Sequence, residues 1–169
     1  DRLTRLVNDV LDLSKIETAK NVEFKEMNIV PAIEQTIRNY RLNAEDKGVD
    51  IIQESEKNMQ LILGNWDLLL QVLDNLIGNA LKFSRSGSKI KICAYTWPDA
   101  CINTSSIRKN NAPSCQLISP LPRIRIEIAD TGCGISEEGQ EKIFDRFYRV
   151  ENSVHTEVGT GLGLSIVRE

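Results

Sequence analysis

Hydrophobic positions along the chain recur at two spacings, three-four and two, and the spacing predicts the element. Between residues 1 and 17, Leu3, Leu6, Val10, Leu13 and Ile16 form a three-four stripe opposite Asp, Arg, Lys and Asn, which predicts an amphipathic helix. Val7 and Leu11 widen the stripe, so this helix is expected to pack on another helix or a second chain. Val22 to Ile29 alternates as a strand does. Pro31 then suits the first turn of a helix that runs to about Lys47 and ends at Gly48. Val49 to Glu54 and Met59 to Leu63 read as two strands about a polar turn, Glu54 to Asn58. Asn65 is the expected cap of a helix reaching about Phe83, with Leu68, Leu69, Val72, Leu73, Leu76, Ile77 and Ala80 facing inward.

A further strand is expected over Ile90 to Trp97. Residues 98 to 122 then break every pattern, because Pro98, Pro113, Pro120 and Pro122 with intervening Asn, Ser and Thr cannot hold a regular element. They read as a long loop or insertion. Arg123 to Ala129 alternates Ile124, Ile126 and Ile128 against Arg125 and Glu127, a strand that delivers Asp130 at its end. Ser136 with Glu137 and Glu138 predicts a short helix whose first turn carries the acids its dipole favours. Residues 150 to 160 read as a polar loop, and a last helix begins near Leu162.

Composition narrows the function classes. At 169 residues and 41% hydrophobic content the chain can hold one domain with a real core plus a short extra element. A net charge of −3, with basic residues scattered, offers no footprint for nucleic acid. No apolar run approaches the roughly 18 residues needed to span a bilayer, so no direct membrane contact is expected from this segment. The cysteines, Cys93, Cys101, Cys115 and Cys133, include no C-x-x-C pair and have one histidine to accompany them, which argues against a zinc site. Free thiols are expected, with a Cys101–Cys115 pair as the minor alternative.

Four short motifs carry the candidate chemistry. In Asn75-Leu76-Ile77-Gly78-Asn79-Ala80-Leu81-Lys82-Phe83, the side chains of Asn75, Asn79 and Lys82 share one helix face, opposite the leucines. Such a stripe either lines a cleft, with amide oxygen for Mg²⁺ and lysine for phosphate, or is a solvated face. In Asp130-Thr131-Gly132-Cys133-Gly134-Ile135 a carboxylate stands at a strand end before glycines that allow close backbone approach. It either accepts from an exocyclic amine such as that of adenine or belongs to a simple turn. Ile143-Phe144-Asp145-Arg146-Phe147-Tyr148-Arg149 is an aromatic and basic cluster, or else a helix end packed on the core. Gly159-Thr160-Gly161-Leu162-Gly163-Leu164 precedes a helix, where glycine turns expose amides to phosphate. Neither the P-loop nor the dinucleotide fingerprint fits it. His155, the single histidine, lies among polar residues and reads as solvated.

In order and in residue chemistry these motifs resemble the N, G1, F and G2 boxes of sensor histidine kinases, within the ATPase superfamily shared with gyrases, mismatch-repair ATPases and certain chaperones. The resemblance implies an α+β fold: a two-layer α/β sandwich of Bergerat type, with a mixed, mainly antiparallel sheet, helices on one face, and one amphipathic helix in front. Residues 1 to 20 are similar to the end of the second dimerisation and phosphoacceptor helix. Residues 21 to 169 would be the ATP-binding catalytic domain, with an insertion at 98 to 122 and an ATP lid at about 144 to 160. The chain is expected to be a fragment at both ends, cut before the closing strands and without the phosphoacceptor box. The long insertion resembles cyanobacterial and plastid sensor kinases.

By the same resemblance Asn79 would ligate Mg²⁺, Asn75 would assist at the phosphates of ATP, Lys82 would meet phosphate, and Arg149 would reach the γ-phosphate. Asp130 would read the adenine amine. Gly132, Gly134, Ile135 and Phe144 would shape the pocket, and Gly159, Thr160, Gly161, Leu162 and Gly163 would close it. The implied partners are a phosphoacceptor-histidine dimerisation domain and a response regulator, on the cytoplasmic side in cytosol or plastid stroma. The rivals are a nucleotide-binding regulatory or scaffolding module without phosphotransfer and a gyrase-like ATPase, for which Asp74 would be the water-activating acid.

Overall fold

A computed structural model describes residues 22–97, 123–149 and 159–169, together with Val7 and Leu11. The expectations for residues 98 to 122, for His155, for Cys101 and Cys115, and for the rest of the first helix lie outside the described residues. Val7 and Leu11 have helical backbone and are half exposed. In chain order the elements are β1 (Lys25–Met27), α1 (Val30–Lys47), β2 (Asp50–Ser55), β3 (Ile62–Gly64), α2 (Trp66–Phe83), β4 (Lys89–Trp97), β5 (Arg123–Asp130), α3 (Glu137–Lys142) and α4 (Gly163–Arg168).

The two long helices start and stop where local chemistry dictates. Asn28 Oδ1 accepts the Val30 amide at 3.0 Å, Pro31 occupies the first turn of α1, and Gly48 closes it in the left-handed region at φ 67°. Asn65 caps α2, its Oδ1 accepting the Leu68 amide at 3.0 Å while its Nδ2 donates to the Glu23 carbonyl at 3.1 Å. At the far end of α2, Lys47 Nζ donates to the Leu81 carbonyl at 3.0 Å and the Lys82 carbonyl at 2.7 Å. A cation therefore meets the negative end of the α2 dipole and pins α1 to α2.

Ile29, Ile33, Leu73, Ile77, Ile90 and Ile92 are fully buried in one core between these helices and the sheet. Burying each stabilises the fold by about 1.5–3 kcal/mol. The opposite face of the sheet carries Lys91 against Glu54 at 2.8 Å, and Arg125 and the Tyr95 hydroxyl both on Glu127 Oε1 at 2.8 Å. One covered face and one polar face make the two-layer α+β arrangement expected.

The main sheet has the order β2-β4-β5, with β2 parallel to β4 and β4 antiparallel to β5. β1 and β3 form a separate antiparallel pair, Met27 opposite Ile62. The two strands expected about the turn at Glu54 to Asn58 therefore do not pair with each other. The Glu56 amide continues along β4 by donating to the Ala94 carbonyl at 3.0 Å, and Glu56 Oε2 accepts the Thr96 amide at 2.8 Å, which holds the turn on β4. That contact also draws the Glu56 carboxyl below its usual range. The strand expected over Val22 to Ile29 shrinks to three residues because its partner, β3, is only that long. Among the described residues no helix is long and apolar enough to cross a membrane.

Candidate functional site

The site is organised along α2. With Leu73, Ile77, Ala80 and Leu81 buried on one side, Asn75, Asn79 and Lys82 stand half-buried on another. Asn75 Nδ2 donates back to the Gln71 carbonyl at 3.0 Å, which fixes the amide plane. Its Oδ1 faces Gly163, where a Cβ would come within 2.6 Å of that oxygen. Lys82 Nζ lies 4.9 Å from the centre of the Phe83 ring, and a Cβ on Gly159 would lie 2.6 Å from it. The two ends of the glycine turn thus rest on two of the three side chains of this polar face, Lys82 and Asn75. Leu162 and Ile166 anchor the following helix, α4, by their burial, and α4 packs on α2. Since Leu162 is almost wholly buried, its side chain is a core group and only its backbone stands near the turn. Thr160 Oγ1 accepts the Leu162 amide at 3.4 Å.

β5 brings the carboxylate to the C-terminal end of α2, beside Phe83. Asp130 is exposed, and its Oδ1 accepts the Gly132 amide at 2.8 Å. A Cβ on Gly132 would stand 2.7 Å from that oxygen and 2.7 Å from the Phe83 carbonyl oxygen. The requirement for glycine here is space. Gly134, two residues on, is glycine for a different reason: φ is 70° and no heavy atom lies within 4 Å of its would-be Cβ. The Thr131 hydroxyl accepts the Lys89 amide at 3.2 Å and ties the turn to the start of β4. Ser136 then caps α3 by accepting the Gly139 amide at 3.2 Å.

The aromatic cluster is not a helix end buried in the core. Phe144 is 39% exposed and Phe147 61%, while Tyr148 is half-buried. Its anchor is backbone: the Phe147 amide donates to the Gly161 carbonyl at 2.9 Å. Ile135 and Arg149 stand exposed, and Arg146 reaches Glu169 at 3.4 Å. Asn75, Lys82, Asp130, Gly132, Gly159 and Gly163 are therefore brought together along α2, and Ile135, Phe144 and Arg149 are exposed.

Asp74 occupies a different side of α2. The Tyr40 hydroxyl donates to the Asp74 carbonyl at 3.3 Å and fits over Gly78, where a Cβ would approach it to 2.8 Å. Burial raises the Asp74 carboxyl above its ordinary value. Burial, and then the charge of Asp74, raise the Tyr40 phenol. Tyr40 and Gly78 were not singled out by sequence reasoning, although a glycine inside a strongly helical pattern is a signal of close packing.

Residues 64–169, more than half of the chain, match the family described as histidine kinase-, DNA gyrase B-, and HSP90-like ATPase. The chain belongs to this ATPase family. Within it, the chain is 50% identical over 168 residues to the uncharacterized sensor-like histidine kinase ycf26 of Pyropia yezoensis, covering 99% of this chain and 24% of that protein. It is 48% identical over 168 residues to drug sensory protein A of Synechocystis sp., covering 99% of this chain and 23% of that protein. Among solved structures, full-length ShkA in complex with AMPPNP superposes with a TM-score of 0.72 at 26% identity, over 98% of this chain and 29% of that one. The chain spans about a quarter of the length of these two curated relatives. The expected resemblance to sensor kinases of cyanobacterial and plastid type, and the expected fold, are both borne out.

Proposed function

We propose that this domain binds Mg·ATP along α2 and serves as the kinase part of a two-component sensor, passing the γ-phosphoryl group to a histidine on a dimerisation domain. The observation that carries this reading is that two turns border one polar helix face: the Asp130 turn at Phe83, and the Gly159 to Gly163 turn running along the face from Lys82 to Asn75. That arrangement suits an adenine at the Asp130 turn and phosphates beneath the glycine turn. In this reading Asp130, oriented by the Gly132 amide, accepts from the adenine amine, and Gly132, Gly134, Ile135 and Phe144 border the base. Asn75, Lys82 and the amides from Gly159 to Gly163 meet the phosphates, and Arg149 approaches the γ-phosphate.

The donor set fits a hard divalent cation. Amide oxygens at Asn79 and Asn75 are the ligand type Mg²⁺ accepts alongside phosphate and water, with Asn79 as its protein ligand. When bound, Mg²⁺ would offset phosphate charge. Phosphoryl transfer otherwise asks for positioning and charge compensation, which these residues can supply. The acceptor imidazole, not this domain, forms the new N–P bond as ADP leaves.

The same reading takes residues 1 to 20 as the end of a dimerisation helix, residues 21 to 169 as the catalytic domain, and residues 144 to 160 as the ATP lid. It places the activity on the cytoplasmic side, in cytosol or plastid stroma, with a response regulator as the downstream partner. Incubating this protein with ATP and a separately made phosphoacceptor domain should yield acid-labile phosphate on that domain. ATP binding without any transfer would favour the regulatory-module reading. Asp74 does not favour a gyrase-like hydrolase, because it lies on the Tyr40 side of α2 and not with Asn75 and Asn79.

A further inference from the structure

Among the described residues Phe147 is the one non-glycine residue with a positive φ, at 64°. Its side chain is mostly exposed, so packing of the ring does not account for a backbone that L-residues avoid. The account lies in the hydrogen bond from the Phe147 amide to the Gly161 carbonyl, 2.9 Å long. Gly161 is itself left-handed at φ 77°, and a Cβ there would stand 2.8 to 3.0 Å from the Phe147 backbone. The two backbones are in contact. On one side the Tyr148 amide donates to the Asp145 carbonyl at 3.2 Å, and the Asp145 amide to the Lys142 carbonyl at 2.8 Å, which ties Phe147 to the end of α3. On the other side Gly161 is the middle of the turn whose ends meet Lys82 and Asn75.

We propose that Phe147 is a positioning residue, acting through its backbone: its contact with Gly161 sets the glycine turn against Asn75 and Lys82 and so governs affinity for the phosphates of the nucleotide, not for the base. This rests on the nucleotide-site reading above. The phosphate amides can be presented together only while the turn keeps this height over α2, and the Phe147–Gly161 contact is what fixes it from the outside.

Three variants separate the backbone from the side chain. Phe147→Gly keeps the amide and tolerates the left-handed backbone, Phe147→Pro removes the amide and forces φ near −65°, and Gly161→Ala collides with Phe147. Each is titrated with Mg·ATP and with adenosine, and amide exchange of residues 159 to 163 is followed by NMR without nucleotide. Phe147→Gly should hold ATP affinity within about threefold, whereas Phe147→Pro and Gly161→Ala should weaken it about tenfold or more and leave adenosine unchanged. Exchange in the turn should quicken in the latter two only. The proposal is overturned if Phe147→Gly is as impaired as Phe147→Pro, if ATP and adenosine affinities fall in parallel, or if Phe147→Pro leaves turn exchange unaltered. Failure of the wild type to bind either ligand would instead refute the nucleotide reading, while turn exchange would still judge the contact.

Discussion

Replacing Gly132 with alanine tests how the Asp130 turn, the proposed adenine end of the site, is built. The new methyl group would stand 2.7 Å from the Phe83 carbonyl oxygen and 2.7 Å from Asp130 Oδ1, whereas ordinary contact begins at 3.4 Å. The turn must retreat by about 0.7 Å on that comparison. Phe83 cannot yield, because Lys47 holds the preceding carbonyls of Leu81 and Lys82. Asp130 must therefore turn away from the Gly132 amide. Overpacking of this size costs about 1–3 kcal/mol, and the displaced carboxylate loses a hydrogen bond of about 1 kcal/mol more. A loss of about 2–4 kcal/mol should lower the melting temperature by roughly 4–16 °C in a domain of this size. Adenine recognition should weaken with it, by about tenfold, because the carboxylate is no longer held in place. Gly134→Ala is the internal control. Its Cβ would meet nothing, so only the left-handed backbone is penalised, by about 1 kcal/mol. Melting curves and competition titration with a fluorescent adenine nucleotide measure both quantities. If Gly132→Ala is as stable as the wild type, or if Gly134→Ala loses as much stability, the steric argument is wrong.

Asn79→Ala should lower Mg²⁺-dependent ATP affinity or turnover well beyond any change in melting temperature, and an equal effect from the surface variant Lys57→Ala would count against a metal role. Asn65→Ala should cost about 1 kcal/mol in denaturant unfolding, since it removes the α2 cap and the tie to Glu23; an unchanged midpoint would show the cap to be idle. Asp74 gives a pH signature. Its folded carboxyl is raised above the ordinary 3.8, so the folded chain holds this proton more tightly than the unfolded one. The resulting penalty is absent below about pH 3.8 and grows as pH rises through the raised value, so the stability of Asp74→Asn relative to wild type should climb across that window and then level. A relative stability that is flat or falls with pH there contradicts the assignment.

Legibility in the sequence followed the range of the interactions involved. The α1 and α2 boundaries were readable because Pro31, Gly48 and Asn65 act on their own neighbours. Strand existence was also readable from alternation, but pairing was not: Glu56 joins Thr96 across forty residues, and no local pattern announces that β2 runs parallel to β4 instead of turning back on β3. Within the site, the shared face of Asn75, Asn79 and Lys82 followed from helix period alone. That Gly132 meets the Phe83 carbonyl, that Gly161 meets Phe147, and that Tyr40 sits over Gly78 are facts of tertiary approach, visible beforehand only as glycines awaiting a reason. The exposure of Phe144 and Phe147 ran against the usual burial of aromatics; the Phe147 backbone contact with Gly161 and the Arg146–Glu169 ion pair tie that segment down without those rings.

Calorimetric titration of this protein with ATP and with GTP, each with Mg²⁺, tests the central claim most directly. Asp130 offers an acceptor where adenine presents an amine and guanine a carbonyl oxygen, and a charged hydrogen bond at an exposed carboxylate is worth about 1.5 kcal/mol. ATP should therefore bind about tenfold or more tightly than GTP, and Asp130→Ala should narrow that gap. Equal affinity for the two nucleotides, or a preference untouched by Asp130→Ala, would contradict the account of α2 and its two turns as an adenine nucleotide site.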